Sequence, residues 1–364
     1  MKKKKTRNTN SQILAGETGV PQRRRYSTGD AEADRDIQKL IIKGGGSPDA
    51  DLLQEMIMTG YKMAQDGLGR GDLKLLNTSL KELRYAFKVF HPYRHVRKVA
   101  IFGSARTPRK ASAYLQTKEF SRRIVERGWM VITGASTGIM SAGNEGAGRA
   151  NSFGVNIRLP FEQFANPIIA NDPKLINFKY FFTRKLIFIA ESDATVLFPG
   201  GFGTHDEGFE TLTLIQTGKT APRPVVCIDP EKSNYWKSWR EFIKNHLAKE
   251  GMIDDDDIHL IHFTHDPKEA VEVVTRFYKN YHSLRYIGEL LVMRIKKPLT
   301  VPQIEELNEK FGDIVKKGKI RQHLKPFDEE DNEPHTADLT RICFYFNRRH
   351  FARLVRLIHL INGM

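Results

Sequence analysis

The chain has 364 residues, 40% of them hydrophobic, which is enough for one large α/β domain with smaller additions around a packed core. Its formal charge of +15 does not choose a partner, since a phosphorylated small molecule, an acidic surface and a nucleic acid would all suit it. No window approaches the roughly 18 uninterrupted apolar residues of a membrane span, and the start, Met1 to Thr6, lacks a signal peptide's apolar run, so no membrane partner and a cytoplasmic setting are expected.

Residues 1–47 are polar and basic (Lys2 to Lys5, Arg23 to Arg25) and end in Gly44-Gly45-Gly46-Ser47, which reads as a disordered arm and linker. Over 48–95 the apolar spacing is helical (Leu52, Leu53, Met56, Ile57, Tyr61, then Leu76, Leu80, Leu83, Phe87), with Ser47-Pro48-Asp49 as a start signal. Two or three lead-in helices are expected there.

From 96 to 281 strands and helices alternate as they do in a doubly wound, mostly parallel sheet with helices on both faces. Strands are expected at Val99–Phe102, Trp129–Thr133, Gly154–Leu159, Ala194–Phe198, Pro224–Ile228 and Ile258–Phe263. Helices are expected at Ala111–Arg127, Gly138–Arg149, Phe181–Glu191, His205–Thr217, Tyr235–Lys249 and Pro267–Lys279. Residues 282–364 read as a small α+β appendix: a strand from Leu290, a helix at Gln303–Val315, a strand at Arg341–Phe346 and a helix at Arg349–Ile361, with a solvated acidic loop from Asp328. Its role would be regulatory or in oligomerisation. Cys227 and Cys343 sit in apolar runs and read as buried structural thiols.

Ligands of such sheets bind at the carboxyl ends of the strands, where strand order reverses. Gly103-Ser104-Ala105-Arg106, Gly134 to Gly138 and Pro199-Gly200-Gly201-Phe202-Gly203-Thr204 all fall at that edge. The last of these joins an apolar strand to a helix through three glycines and places Glu207 one turn in. Glycines permit close backbone approach to a ligand, and the unpaired N–H groups of a helix start attract anions. Neither glycine loop is the dinucleotide fingerprint at the first βα turn, and the position where a P-loop ending at Gly218-Lys219-Thr220 needs its first glycine holds Thr213.

The run Pro199, Gly200, Gly201, Gly203, Thr204, Glu207 resembles the P-G-G-x-G-T-x-x-E mark of the Lonely Guy family, also catalogued as lysine-decarboxylase-like. Arg184-Lys185 matches the family's Arg-Lys pair on the preceding helix. Gly134-Ala-Ser-Thr-Gly138-Ile-Met140 matches its glycine loop in looser form, with alanine and serine where glycines are usual. The resemblance spans roughly Val96 to Tyr281 and implies a Rossmann-like fold. It also implies hydrolysis of the N-glycosidic bond of a nucleoside 5′-monophosphate to free base and ribose 5-phosphate, by a homodimer or larger homo-oligomer with no cofactor. The implied catalytic pair is Arg184 and Glu207.

Chemistry agrees with that pair. Breaking a C1′–N bond builds positive charge on the ribose, which a carboxylate such as Glu207 stabilises while orienting the attacking water. Arg184 offers planar donors that hold ribose, phosphate or the carboxylate in register. Gly103, Ser104, Gly134, Ser136, Thr137, Gly138, Met140, Lys185, Pro199, Gly200, Gly201, Gly203 and Thr204 form the expected binding set, Thr204 also serving as a helix cap. Glu210, on the same helix face as Glu207, would support the ribose hydroxyls. Asp206 reads as a helix-dipole partner. Arg106 is a further candidate for phosphate or base.

Two other readings use the same residues. One is a carrier of a nucleotide or phosphorylated cofactor without turnover. The other is nucleic-acid binding by the basic arm, which matches no recognised module. A metal site in Asp254 to His265 is disfavoured because His259 and His262 would point to opposite faces of a strand, and no metal is expected.

Overall fold

The computed structural model describes residues 26–159, 164–330 and 333–364, so the basic clusters at Lys2 to Lys5 and Arg23 to Arg25 lie outside the described residues. The chain divides into two compact units, 1–77 and 78–364. In the first, α1 (Ala31–Lys43) is capped by Asp30, whose side chain accepts from the Glu32 and Ala33 N–H groups. Within residues 1–47, expected to lack structure, residues 31–43 are thus helical: among the many charges, Ile37 and Ile41 make a one-sided apolar stripe. With Met58 of α2 (Ala50–Gln65) they form a small core of their own.

The division falls within α3 (Arg70–Phe90). The lead-in segment is helical, as its spacing implies. However, Leu52, Leu53, Met56, Tyr61, Leu76, Leu80 and Phe87 are exposed, and the buried side chains of the later turns are Ala86 and Phe90.

The second unit is built on β1 (Lys98–Phe102), β2 (Met130–Thr133), β3 (Ser152–Ile157), β4 (Leu175–Phe178), β5 (Ala194–Leu197), β6 (Val225–Ile228) and β7 (Ile261–Thr264). They form one parallel sheet in the order β4-β3-β2-β1-β5-β6-β7. The order reverses at β1: β2, β3 and β4 extend to one side, and β5 returns to the other. With the right-handed crossovers that parallel strands favour, this order puts the connecting helices on both faces. These helices are α4 (Ser112–Glu126), α5 (Ile139–Ala147), α6 (Phe181–Glu191), α7 (Phe202–Gln216), α8 (Tyr235–Phe242) and α9 (Pro267–Phe277).

The sequence expectations miss β4, a short edge strand of mixed polarity. They also place β7 too early: Asp255–Leu260 is a 3-10 turn begun by a capping box of Asp254 and Asp257, so His259 is not on a strand. His262 instead pairs with Glu269, and no metal-ligating cluster occurs among the described residues. Helix α8 stops at Phe242 and continues as a wider π turn over Ile243–Ala248. Among the described residues no helix is long and apolar enough to cross a membrane.

The C-terminal segment forms β8 (Tyr281–Ile287), β9 (Leu290–Ile295), α10 (Val301–Phe311), β10 (Val315–His323), β11 (Thr340–Phe346) and α11 (Phe351–Gly363). Its antiparallel sheet runs β10-β11-β9-β8. The expected Gln303–Val315 helix therefore ends early, and β8 and β10 go unanticipated because their edge positions let them carry charge (Arg285; Lys316, Lys317, Lys319). Leu291, Met293, Ile342 and Phe344, with Leu357 and Ile361 of α11, join the same core as the parallel sheet. Asn362 reinforces the joint, its carbonyl accepting from the Asn280 and Tyr281 N–H groups and its amide donating to the Phe277 carbonyl. Cys227 and Cys343 are buried free thiols, as expected.

The acidic loop from Asp328 is not simply solvated. Glu330 is buried between Arg294 (Nε to Oε1, 2.6 Å) and Arg341 (Nε to Oε2, 3.1 Å), and it accepts from the Phe327 N–H. Composition suggested a surface, but the two strand arginines need a carboxylate between them. Removing one member of such a buried group strands the charges of the others. Glu330→Ala is expected to cost about 3–5 kcal/mol in chemical denaturation; a loss under 1 kcal/mol would contradict the assignment.

Candidate active site

The reversal point between β1 and β5 brings three loops together, and one residue's backbone ties them. Ser104, just past β1, donates its N–H to the Pro199 carbonyl after β5 (3.0 Å) and accepts from the Ile139 N–H at the head of α5 (3.0 Å). Thr137 adds a hydroxyl bond to the Ala105 carbonyl at 2.8 Å, and the Ser104 hydroxyl accepts from Arg106 N–H. These two expected ligand groups are thus engaged within the loops.

The close fit explains particular glycines. A Cβ on Gly200 would lie 2.0 Å from Thr204 Oγ1, one on Gly103 would lie 2.6 Å from the Ile139 side chain, and Gly138 has φ +62° against the Ser104 carbonyl. Gly201 and Gly203 by contrast face open space, as surfaces kept clear for a ligand would.

Helix α7 starts at this seam, with Gly201 as its N-cap and no side-chain cap. Thr204 therefore does not cap the helix, contrary to expectation; it is buried with its hydroxyl against Gly200. Among the described residues the N–H groups of Gly200, Gly201, Phe202 and Gly203 find no backbone acceptor, so the seam holds a set of unpaired donors at the positive end of α7.

Gly208 lets α7 lie close on β5, where an added Cβ would stand 2.9 Å from Leu197. That approach buries Glu207, which is 3% exposed. Its carboxylate lies 3.5 Å from Arg184 Nη2. Arg184 reaches across from α6, its Nη1 beside Gly134, its guanidinium between the rings of Phe181 and Phe188. Among the described residues its buried Nε has no hydrogen-bond partner, a donor left over for something else.

Burial dominates the electrostatics. It pushes the Glu207 carboxyl up to about 7, against the lowering effect of Arg184 and Lys185. Burial likewise lowers the Arg184 guanidinium, although Glu207 pulls the other way. Lys185 binds Asp206 (2.7 Å) and Glu210 (2.9 Å), tying α6 to α7. Burial would lower the Lys185 ammonium, and these partners raise it instead. Asp206 and Glu210 are therefore engaged with Lys185, which brackets the site from one side.

Sequence reasoning missed three supports. Asn166 donates to the Ala135 and Ser136 carbonyls and to Asn144 Oδ1, holding the Gly134 loop with Ala135 at φ 61°. Glu82 of α3 anchors the start of α6, accepting from the Lys179 N–H just before it and from the Thr183 hydroxyl in its first turn. Tyr235 of α8 donates its hydroxyl to the Gly200 carbonyl. No motif marks them; Ala135 is not a residue that signals a left-handed turn. Met140, expected at the ligand, packs its sulfur against Gly134, and Ser136 is buried in the same loop.

Residues 133–274 match the family model described as "Possible lysine decarboxylase", which bears out the Lonely Guy-like resemblance over that segment. No curated protein matches the chain. Among solved structures it is similar to the molybdenum cofactor binding protein from the phototrophic bacterium Rippkaea orientalis (17% identity, 50% of this chain and 94% of that one, TM-score 0.35). It is also similar to the molybdenum cofactor carrier protein from Chlamydomonas reinhardtii (19%, 50% and 97%, TM-score 0.35). A third likeness is to DNA processing protein A from Helicobacter pylori (16%, 50% and 80%, TM-score 0.34).

A carboxyl whose folded-state pKa is raised costs nothing below its ordinary value of 4.5; the penalty grows from there to about 7 and is constant above. That penalty is about 3 kcal/mol. Glu207→Gln mimics the protonated form, so it is expected to unfold later than wild type at pH 8, with the gap closing toward pH 5. Denaturant titrations at the two pH values check this, and a pH-independent difference would contradict it.

Proposed function

We propose, on the premise of the family match over residues 133–274, that the β1–β5 crevice binds a nucleoside 5′-monophosphate and hydrolyses its N-glycosidic bond. The match supports a nucleotide- or cofactor-binding role, and the observation that carries the finer reading is the buried Glu207 carboxyl beside Arg184. A phosphate-binding helix start alone would need neither. In this reading the phosphate accepts from the unpaired N–H groups between Gly200 and Gly203, with Gly201 and Gly203 leaving room for it.

The ribose then lies toward Glu207. The C1′–N bond breaks with its electron pair leaving on the base, and water oxygen joins C1′. One water proton stays on the new C1′ hydroxyl and the other passes, by way of Glu207 or solvent, to the departing base. The Glu207 carboxylate faces the positive charge that develops on the ribose and orients the water. Arg184 holds the carboxylate through Nη2 and offers the free Nε to ribose or phosphate oxygen. The proposed chemistry requires no metal ion.

The test is incubation with a panel of nucleoside monophosphates, assaying free base and ribose 5-phosphate. The ionised carboxylate is the working form, so kcat/KM is expected to rise as pH is raised through about 7 and level off above it. Glu207→Gln should lose at least about a hundredfold in kcat. A Glu207→Gln protein as active as wild type would sink the mechanism. Tight binding without release of base would leave the carrier reading in its place.

A further inference from the structure

The cradle's donors depend on a peptide that its own residues do not hold. Gly200 and Gly201 both lack a Cβ, so local sterics leave the plane between them free to rotate at small cost. The peptide is trans and planar, which makes its C=O and N–H point in opposite directions. Whatever holds the Gly200 carbonyl therefore aims the Gly201 N–H.

Tyr235 is what holds it. Its hydroxyl donates to the Gly200 carbonyl, and its oxygen lies 2.7 Å from His205 Nε2. Because the phenol's own hydrogen is committed to Gly200, the imidazole must carry its hydrogen on Nε2, giving the chain His205 N–H to Tyr235 O–H to Gly200 C=O. Burial lowers the His205 pKa, in keeping with a neutral ring. The His205 and Tyr235 rings stack at 5.9 Å with an interplanar angle of 26°, and Trp236 and Trp239 close around the imidazole.

Topology gives the direction. Tyr235 begins the helix after β6, and β6 lies on the side of β5 away from β1. A carbonyl drawn toward Tyr235 leaves the Gly201 N–H turned toward β1 and the Ser104 loop, into the reversal-point crevice. Rotation of this peptide would present a carbonyl oxygen there and repel an anion.

We propose that Tyr235, seated by His205, is a positioning residue that locks the Gly200–Gly201 peptide in its anion-binding orientation and thereby sets affinity for the substrate's phosphate. The proposal rests on the reading of this crevice as a phosphate cradle. Tyr235 touches no reacting atom, so its effect is confined to the phosphate and leaves the ribose end alone.

The experiment compares full-length wild type and Tyr235→Phe, a change that keeps the ring and removes one oxygen. Dissociation constants are measured for inorganic phosphate, ribose 5-phosphate and ribose, with a thermal melt of each protein. One misdirected charge-assisted donor is worth about tenfold or more. Phosphate and ribose 5-phosphate should weaken by about that factor while ribose is unchanged, and KM for a nucleotide should rise with kcat nearly constant. His205→Phe, which keeps the aromatic stack but removes the donor to the phenol, should show a smaller loss with the same selectivity.

Unchanged phosphate affinity in Tyr235→Phe, or equal weakening of ribose and phosphate, overturns the lock. In that case a wild type that still prefers ribose 5-phosphate to ribose keeps the reading of the crevice. If wild type does not discriminate the two ligands, the phosphate cradle itself falls and the lock falls with it.

Discussion

A carboxylate buried at the seam of a parallel sheet is the constraint around which this unit is arranged. Glu207 can be enclosed only because Gly208 lets α7 lie flat on β5, and it can ionise near neutral pH only because Arg184 reaches it from the neighbouring helix. Arg184 in turn is aimed by the position of α6, whose start Glu82 anchors and which Lys185 fastens to α7 through Asp206 and Glu210. Each of these contacts bears on a single 3.5 Å separation.

The same seam is least satisfied where a ligand would enter. Among the described residues the Arg184 Nε and the first N–H groups of α7 are left without protein partners, while the loops behind them are tied together: Ser104 joins three loops, Asn166 fills the Gly134 turn, and Tyr235 holds Gly200. Unpaired donors on a rigid frame are the arrangement that binding an anion requires, since the frame has already met the cost of orienting them. The C-terminal sheet belongs to this frame, because α11 shares its core and Phe351 lies where a Cβ on Gly218, just beyond α7, would go.

What was legible in the sequence was local. Apolar runs between glycines located six of the seven parallel strands, and Pro199 to Glu207 marked the site because a helix start, three glycines and an acid are contiguous there. What escaped depends on tertiary partners. Glu330 sits in a run of acids that looks solvated until β9 and β11 present Arg294 and Arg341 to it. The strand β10 can carry four basic residues because it is an edge, and α1 hides a two-residue apolar stripe among acids and lysines. Asn166, Glu82 and Tyr235 are ordinary residues whose roles arise only when distant segments meet. The burial of Glu207, which gives it a working pKa, is likewise invisible without the packing of α7 on β5.

The central claim is that a nucleotide lies across this seam, phosphate on the head of α7 and glycosidic bond at Glu207. Its most direct test is a crystal structure of the Glu207→Gln protein soaked with a nucleoside monophosphate. The account predicts phosphate oxygens within hydrogen-bond distance of the N–H groups between Gly200 and Gly203, with C1′ facing residue 207. A nucleotide bound with its phosphate elsewhere, or with its base rather than C1′ against residue 207, would contradict it.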